Sequence, residues 1–283
     1  MAIISISRGC YSHGRLIAEK VAQQLGYECV NREIILETVS QFNISETELL
    51  KSLEEAPGFI NKLTHGREKY LSYFRAALLE HVKKNNVVYH GHAGHLMLPS
   101  VRHLLKVRII ADMNLRIQRL QQKENLFADE AEKKLFKEDA KRYEWTKLLY
   151  NKDIRDSSLY DLVLHIGSFS FEDVCDLICT AASTKSFTPL AEDEQMLRDT
   201  AVSNHIHAAL QNICDAVVTC HNGNVRIQVL PTKIRKSGFG NLNIQRKITE
   251  QMRTDLSAEI LNIAREIPGV QHVVCDIGAP NIS

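Results

Sequence analysis

The N-terminal segment constrains the fold more than any other part of this 283-residue chain. An apolar run, Ile3–Ser7, has the composition of a buried strand and leads into a loop bounded by Gly9 and Gly14. Beyond the loop, apolar residues recur at every fourth position from Ile17 to Leu25, which predicts an amphipathic helix. Glycines at this spacing let backbone N–H groups turn inward, and the helix N-terminus adds positive charge. The segment therefore predicts a phosphate-binding loop, with a plain tight turn as the alternative.

Two positions depart from the common phosphate-loop pattern, in which a Lys and then a Ser or Thr follow the second glycine. Arg15 stands in the Lys position, retains a positive charge and can contact phosphate oxygens bidentately. Leu16 stands in the hydroxyl position and offers no ligand to Mg2+. The metal would then be held by water, phosphate and a more distant carboxylate.

Composition excludes several classes of partner. The formal net charge is +1, with 24% charged and 44% hydrophobic residues, so nothing predicts nucleic-acid binding. The apolar start is short and meets Arg8 at once, so we expect no signal peptide, and no apolar run reaches the roughly 18 residues of a membrane span. Seven scattered cysteines, an odd number, favour reduced thiols. We therefore expect a cytoplasmic protein.

The first two thirds of the chain alternate between strand and helix signals, the rhythm of a parallel sheet. Further strands are predicted at Val87–His90, Val107–Ala111 and Leu162–Ile166, and a helix at Phe171–Ala182. Residues 33–86 are nearly all helical in pattern, interrupted at Pro57-Gly58. The sequence thus predicts an α/β domain over residues 1–182.

A different pattern follows the Ser-, Thr- and Pro-containing stretch 183–193, which we predict to be a linker. Residues 194–283 are predicted to form a small α+β domain with the element order α-β-β-α-β. The predicted elements are a helix at 194–212, strands at Ala216–His221 and Val225–Leu230, a helix ending near Glu266 and a strand at Val270–Ile277. The Asn222-Gly223 pair between the first two strands is a strong hairpin signal.

Several segments of the first domain, in order and at compatible spacings over residues 2–182, resemble the cytidylate-kinase-like family of P-loop proteins. The matching segments are the loop with its helix through Gly26, Val30–Ile35, Val87–Gly94, Lys106–Ala111 with Leu115–Leu120, Asp139–Tyr143 and Tyr160–Leu164. The resemblance implies a nucleoside-monophosphate-kinase-like parallel sheet with a helical lid and insert. Residues 194–278 more loosely resemble a BON domain.

The resemblance implies ATP as phosphoryl donor, generally with Mg2+. It places the donor phosphates on the loop residues Gly9, Cys10, Tyr11, Ser12, His13, Gly14 and Arg15. Arg142 would close over the γ-phosphate, Arg116 and Arg119 would contact the donor base or its phosphates, and Asp139 would orient an arginine. A solvated, charged helix face is the alternative for these lid residues.

The acceptor side departs most from the family. Where cytidylate kinases carry Asp-Gly-Arg-Asp after the strand, this chain has His90-Gly91-His92-Ala93, and Asn31 replaces an Asp. We expect Asn31, Arg32 and His92 to lie near the acceptor. These changes argue against efficient CMP phosphorylation without excluding nucleotide binding.

Other candidates carry weaker signals. Histidines 90, 92, 95 and 103 lack a complete ligand set of recognised spacing, so we predict no metal site and expect polar lining of a cleft instead. Cys10 lies near a helix N-terminus, which predicts a lowered thiol pKa. Basic residues around the glycine loop 236–240 (Lys233, Arg235, Lys236, Arg246, Lys247 and Arg253) are predicted to be a solvated surface rather than an anion site.

Two hypotheses for function follow from the sequence. The first is transfer of phosphate from ATP to a nucleoside monophosphate or a related acceptor. The second is a catalytically weak nucleotide sensor, in which the BON-like domain is a regulatory or oligomerisation module that contacts a second copy or another protein. A scaffold that has lost its ligand is a third, weaker alternative.

Overall fold

The computed structural model describes residues 2–39, 64–230 and 242–278. The predicted interruption at Pro57-Gly58 and the glycine loop 236–240 lie outside the described residues. Within the described ranges, no helix is long and apolar enough to cross a membrane.

A parallel sheet of five strands organises the first part of the chain, with the strand order β2-β3-β1-β4-β5. The strands are β1 (Ile3–Arg8), β2 (Glu28–Val30), β3 (Val87–His90), β4 (Leu104–Ala111) and β5 (Leu162–Ile166). The central strand β1 pairs with β3 through Ile3↔Val87 and with β4 through Ile3↔Leu104. Strands of this kind are apolar on both sides because helices cover both faces of the sheet.

Seven helices accompany this sheet in the described ranges. They are α1 (Gly14–Leu25), α2 (Arg32–Val39), α3 (Thr64–Val82), the short α4 (Gly94–Met97), α5 (Met113–Glu124), α6 (Ala128–Tyr150) and α7 (Phe171–Ala182). Side chains of α1 and α7 form one core with β1, including the fully buried Ile17, Val174 and Ile178. Side chains of α2 and α3 form a second core on the other face, around Ile35 and Leu78.

The ends of two helices follow directly from their sequence. Helix α1 ends at Gly26, which has φ 68° and donates its N–H to the last turn, as expected of a left-handed C-cap. Helix α7 begins at Ser170, whose hydroxyl accepts the N–H of Asp173, while the Asp173 carboxylate accepts the N–H of Ser170. Both boundaries are readable from sequence because a single residue type decides each of them.

The C-terminal unit has a sheet of three strands in the order β6-β7-β8. Its elements are α8 (Ala191–Leu210), β6 (Ala216–His221), β7 (Asn224–Val229), α9 (Leu242–Glu266) and β8 (His272–Ile277). This is the predicted α-β-β-α-β order. Strands β6 and β7 are antiparallel, and their turn has Asn222 at φ 49° and Gly223 at φ 75°, the positive values that a two-residue hairpin needs.

Helix α8 belongs to the cores of both units. It begins at Ala191, inside the predicted linker, and its residues Leu197 and Ala201 are buried with α3 in the core of the first unit. Further along, Ile206 and Leu210 are buried in the core of the C-terminal unit. At the same contact His205 lies 3.6 Å from Glu80 of α3, and hydrogen bonding from His205 lowers the pKa of Glu80 to about 2.

Candidate functional site

The loop between β1 and α1 has an unusual backbone conformation. Tyr11 and His13 both adopt left-handed conformations, with φ 57° and 63°, which non-glycine residues rarely do. Strain of this kind costs about 1–3 kcal/mol per residue and is concentrated at functional sites. The Ser12 hydroxyl holds the loop together by donating to the carbonyl oxygen of Gly9 at 2.9 Å.

The loop opens onto the positive end of α1. The first N–H groups of any helix lack acceptors within the helix, and α1 has no acidic residue in its first turn to compensate its dipole. Gly14 at the first helical position is sterically required, because a Cβ there would lie 2.6 Å from Cδ of Arg8. The N–H groups of the first turn of α1 therefore lie where the sequence predicts phosphate binding.

Three of the predicted arginines converge on this loop from two helices. From α5, Arg116 donates through Nε to the carbonyl oxygen of Cys10 at 2.7 Å, and Arg119 donates to that of Tyr11 at 3.2 Å. From α6, Arg142 donates to the carbonyl oxygen of Arg8 at 3.2 Å. Residues more than a hundred positions apart are thus brought to one end of the sheet.

Asp139 binds one of these arginines. Its carboxylate accepts from Arg116 at 2.6 Å, and the Arg116 side chain is only 9% exposed. Arg119 and Arg142 form no ion pair with any described carboxylate. The positive charge at this end of the sheet is therefore only partly neutralised by the protein itself.

Arg15 and Leu16 both face away from the loop interior. The Arg15 side chain is 65% exposed and forms an ion pair with Glu19 at 2.7 Å, one helical turn further along. Leu16 is half exposed. The residue in the usual Lys position therefore contacts solvent and a neighbouring carboxylate in this structure. We call residues 8–16 and the three arginines that contact them the loop end.

Cys10 corrects one expectation from the sequence. The thiol is buried, and burial raises its pKa to about 11, which outweighs the lowering effect of Arg142. The predicted lowering by the helix N-terminus is wrong because loss of solvent dominates at this position. Cys10 is thus a packed side chain beside Leu120 rather than an activated thiol.

The predicted acceptor residues follow strands β2 and β3. The carboxyl ends of these strands lie at the same edge of the sheet as the loop that follows β1. The Asn31 side-chain oxygen accepts the N–H of Ile34 at 2.9 Å and so caps α2, which Arg32 begins. Strand β3 ends at His90, and His92 packs its ring on Trp145 at 5.0 Å. We call Asn31 together with His90, His92 and His95 the histidine end.

The hydroxyl of Thr146 joins His92 to α6. Its oxygen lies 2.9 Å from the carbonyl oxygen of Arg142 and 2.9 Å from Nε2 of His92. One hydroxyl group therefore contacts both the imidazole and the backbone of α6. His92 is linked in this way to the backbone of Arg142, whose side chain contacts the loop.

All three histidines of this end are neutral at pH 7. Burial lowers the pKa of His92 to about 3, and repulsion from Arg142 adds to the effect. Burial likewise lowers the pKa of His90 and of His95 to about 4, assisted by Arg8 and Lys106 respectively. Neutral imidazoles can donate or accept a hydrogen bond but do not provide charge to a phosphate.

The described residues do not fit a magnesium ion held directly by the protein. No group of three or more His, Cys, Asp or Glu with ligand geometry occurs among them, and Leu16 lacks the hydroxyl that would bind the metal. Asp139, the acidic residue beside the loop, is occupied by Arg116. Any Mg2+ would therefore arrive with the nucleotide phosphates and keep its water ligands.

Sequence reasoning missed Arg8 and Thr146. The predicted first strand ended at Ser7, whereas β1 extends to Arg8. Alternation along the strand could have found Arg8, because Ile4, Ile6 and Arg8 share one face. Thr146 carries no comparable signal, since its role depends on a histidine 54 residues away.

Comparison with known proteins agrees with this arrangement of sheet, loop and arginines. The sequence model of the cytidylate kinase-like family matches residues 3–168. The chain belongs to the cytidylate kinase-like family. This membership supports a nucleotide-binding, kinase-like protein, and the matched residues cover the five-stranded sheet, the loop and helix α6, but not the C-terminal unit.

Two cytidylate kinases are similar to part of this chain. The chain is 28% identical to a cytidylate kinase of Archaeoglobus fulgidus over 185 residues, which cover 64% of this chain and 95% of that protein. It is 30% identical to a cytidylate kinase of Methanocaldococcus jannaschii over 105 residues, covering 36% of this chain and 59% of that protein.

A solved structure shows the same fold. It is an uncharacterized protein from Eubacterium ventriosum, with a TM-score of 0.51 and 17% identity, and the match covers 65% of this chain and all of that one. At this identity the likeness concerns the fold alone.

Proposed function

We propose that this protein is a phosphotransferase that moves a phosphoryl group from ATP to a nucleoside monophosphate or a related anionic acceptor. The observation that carries the proposal is the convergence of Arg116, Arg119 and Arg142 on the loop at the N-terminus of α1. Phosphoryl transfer depends mainly on positioning and on neutralising phosphate charge, and arginines at this place supply both.

In this proposal the loop residues 10–14 hold the donor phosphates through their backbone N–H groups, because the N–H of Gly9 already donates to the carbonyl oxygen of Ile109 at 3.2 Å. Arg119 contacts the donor from α5, and Arg142 neutralises charge on the group in transit. Asp139 keeps Arg116 against the loop. The three arginines and Asp139 thus act together as one lid. We assign Arg15 no contact with the donor phosphates, because its ion pair with Glu19 keeps it in solvent.

The histidine end favours an acceptor oxygen that is already ionised. An alcohol must lose a proton during transfer, and no described carboxylate forms a hydrogen bond or ion pair with His90, His92 or His95. Imidazoles with a pKa of about 3 to 4 are weak bases at neutral pH. A phosphate monoester needs no such base, so we assign Asn31, Arg32 and His92 to binding it.

A second candidate function is a nucleotide sensor with little or no turnover. The observation that favours it is α8, whose side chains belong to the cores of both units. In that case the C-terminal unit, which we propose to be BON-like, would respond to nucleotide binding as a regulatory or oligomerisation module. The cytoplasmic location expected from the cysteine content fits both candidates.

A two-step measurement tests the proposal. Thermal denaturation is recorded with ATP, ADP, AMP, CMP and GMP, with and without Mg2+, and ADP release is then measured across the same monophosphates. We expect ATP to raise the melting temperature and at least one monophosphate to accelerate ADP release. Stabilisation without release supports the sensor, and no stabilisation by any nucleotide contradicts both candidates.

A further inference from the structure

Arg8 is the least compensated cation beside the loop. It ends β1, and its aliphatic stem passes against Gly14, since a Cβ at Gly14 would lie 2.6 Å from Arg8 Cδ and 2.7 Å from its Cβ. Unlike Arg15, it forms no ion pair or side-chain hydrogen bond with any residue in the described ranges. Its guanidinium is thus held below the first turn of α1 without a counter-ion.

The surroundings of Arg8 are positively charged. Burial lowers the pKa of Arg8, and repulsion from Arg142 and Arg15 lowers it further, while attraction by Glu33 is the smallest of these effects. Arg142 also donates to the Arg8 carbonyl oxygen, so the two arginines meet at the same point from the sheet and from the lid. Partly buried like charges at close range are unfavourable unless an anion lies near them.

Arg15 differs from Arg8 in every one of these respects. Its side chain is 65% exposed, it already has a carboxylate partner in Glu19, and it extends along the outside of α1. Both residues carry the same guanidinium group, and both lie next to Gly14 along the chain or in space. They therefore form a matched pair in which only Arg8 is partly buried and lacks a carboxylate partner among the described residues.

We infer that Arg8, and not Arg15, is the cation that binds phosphate oxygens at this loop, where it faces Arg142 across the bound phosphate. The inference rests on the proposed function and adds to it a residue that the phosphate-loop pattern does not include. It also explains why position 14 must be glycine: a larger side chain would displace the Arg8 stem. Arg8 thereby supplies from the end of β1 the charge that a Lys ordinarily supplies from the start of the helix.

Binding to two anions in matched variants tests this inference. The variants are Arg8→Met, which keeps the aliphatic stem and removes the charge, Arg8→Lys, which restores a charge, and Arg15→Met as the control. Affinities for ATP and for inorganic tripolyphosphate are measured by calorimetry. We expect Arg8→Met to weaken both about 10- to 100-fold, Arg8→Lys to recover part of the loss, and Arg15→Met to bind as the wild type does.

Melting temperature without ligand separates this role from a structural one. If Arg8 only supported the loop, Arg8→Met would lower the melting temperature; removal of an uncompensated charge should leave it unchanged or raise it. Unchanged binding by Arg8→Met, or an equal loss in Arg15→Met, overturns the inference while leaving the phosphotransferase proposal intact. Binding of tripolyphosphate through Arg8 without any nucleotide binding contradicts the proposed function alone. Failure of the wild type to bind either anion contradicts both.

Discussion

The loop end and the histidine end lie at the same edge of the five-stranded sheet, but the first is positively charged and the second is neutral. At the loop end, arginines from β1, α5 and α6 meet, and Asp139 is the one described carboxylate that forms an ion pair with any of them. At the histidine end the imidazoles are buried and neutral, and the Asn31 amide caps a helix. One end is therefore prepared for an anion whatever the pH, whereas the other distinguishes its ligand by hydrogen bonding and shape.

The largest expected effect tests the loop end. Replacement of Arg142 by Met should reduce turnover about a thousandfold, because an arginine on the group in transit is worth at least that much in phosphoryl transfer. The measurement is ADP release with the best monophosphate acceptor. Lys141→Met is the matched control, since Lys141 is exposed and, among the described residues, forms an ion pair with Glu138 alone. Equal turnover in both variants would remove Arg142 from the chemistry.

The next effect tests the neutrality of the histidine end. A histidine whose pKa falls from 6.5 to about 4 on folding binds fewer protons in the folded state than in the unfolded one between those values. The contribution of this histidine to the free energy of unfolding is therefore fully present above pH 6.5 and is lost as the pH falls towards 4. Each such group contributes up to about 1.4 kcal/mol per pH unit, or about 2 kcal/mol between pH 6.5 and 5.

His95 is the clearest place to measure this loss. Both of its ring nitrogens are buried without a hydrogen-bond partner among the described residues, and the ring packs on Tyr160 at 4.7 Å. We measure the free energy of unfolding by urea denaturation from pH 7 to pH 5. It should depend less steeply on pH in His95→Leu than in the wild type, and the difference should equal the contribution of one histidine. His272→Leu, on the exposed face of β8, is the control and should keep the wild-type slope. Identical slopes in all three proteins would show that His95 is charged in the folded state.

The smallest effect separates two roles of Asn31. If the side chain acts mainly as a helix cap, Asn31→Ala should lower the free energy of unfolding by about 1 kcal/mol, and Asn31→Asp, which also caps, should leave it nearly unchanged. Acceptor affinity in Asn31→Asp then reports the second role, because a carboxylate would repel a phosphate. Unchanged stability in Asn31→Ala would mean that the hydrogen bond to Ile34 contributes nothing.

The sequence was sufficient for the architecture of the sheet but not for the site. Strands β3 and β5 and helix α7 have the predicted bounds, because alternating or uninterrupted apolar residues mark them clearly. Strand β2 has three residues and was missed, since so short a strand has no period to detect. Helix α8 begins within the predicted linker because a capping interaction of Asp193 with the Leu190 N–H starts it early.

The limits of prediction at the site have a physical cause. The positions of Gly9 and Gly14 follow from the local pattern and that of Asp139 from the family resemblance, and the structure brings all three to the loop end. The orientation of Arg15 does not follow, because it depends on Glu19 offering a closer partner than the loop does. The neutrality of His92 depends on burial against Trp145, which only the folded chain provides.

Helix α8 has a consequence for how the molecule unfolds. Its 20 residues contribute buried side chains to the cores of both units, so neither core is complete when the helix melts. If the C-terminal sheet unfolds, α8 loses its packing there and should melt, so that Leu197 and Ala201 no longer pack on α3. The two units should therefore denature together. Differential scanning calorimetry should show one cooperative transition, and two resolved peaks would mean that each unit is a separate folding unit.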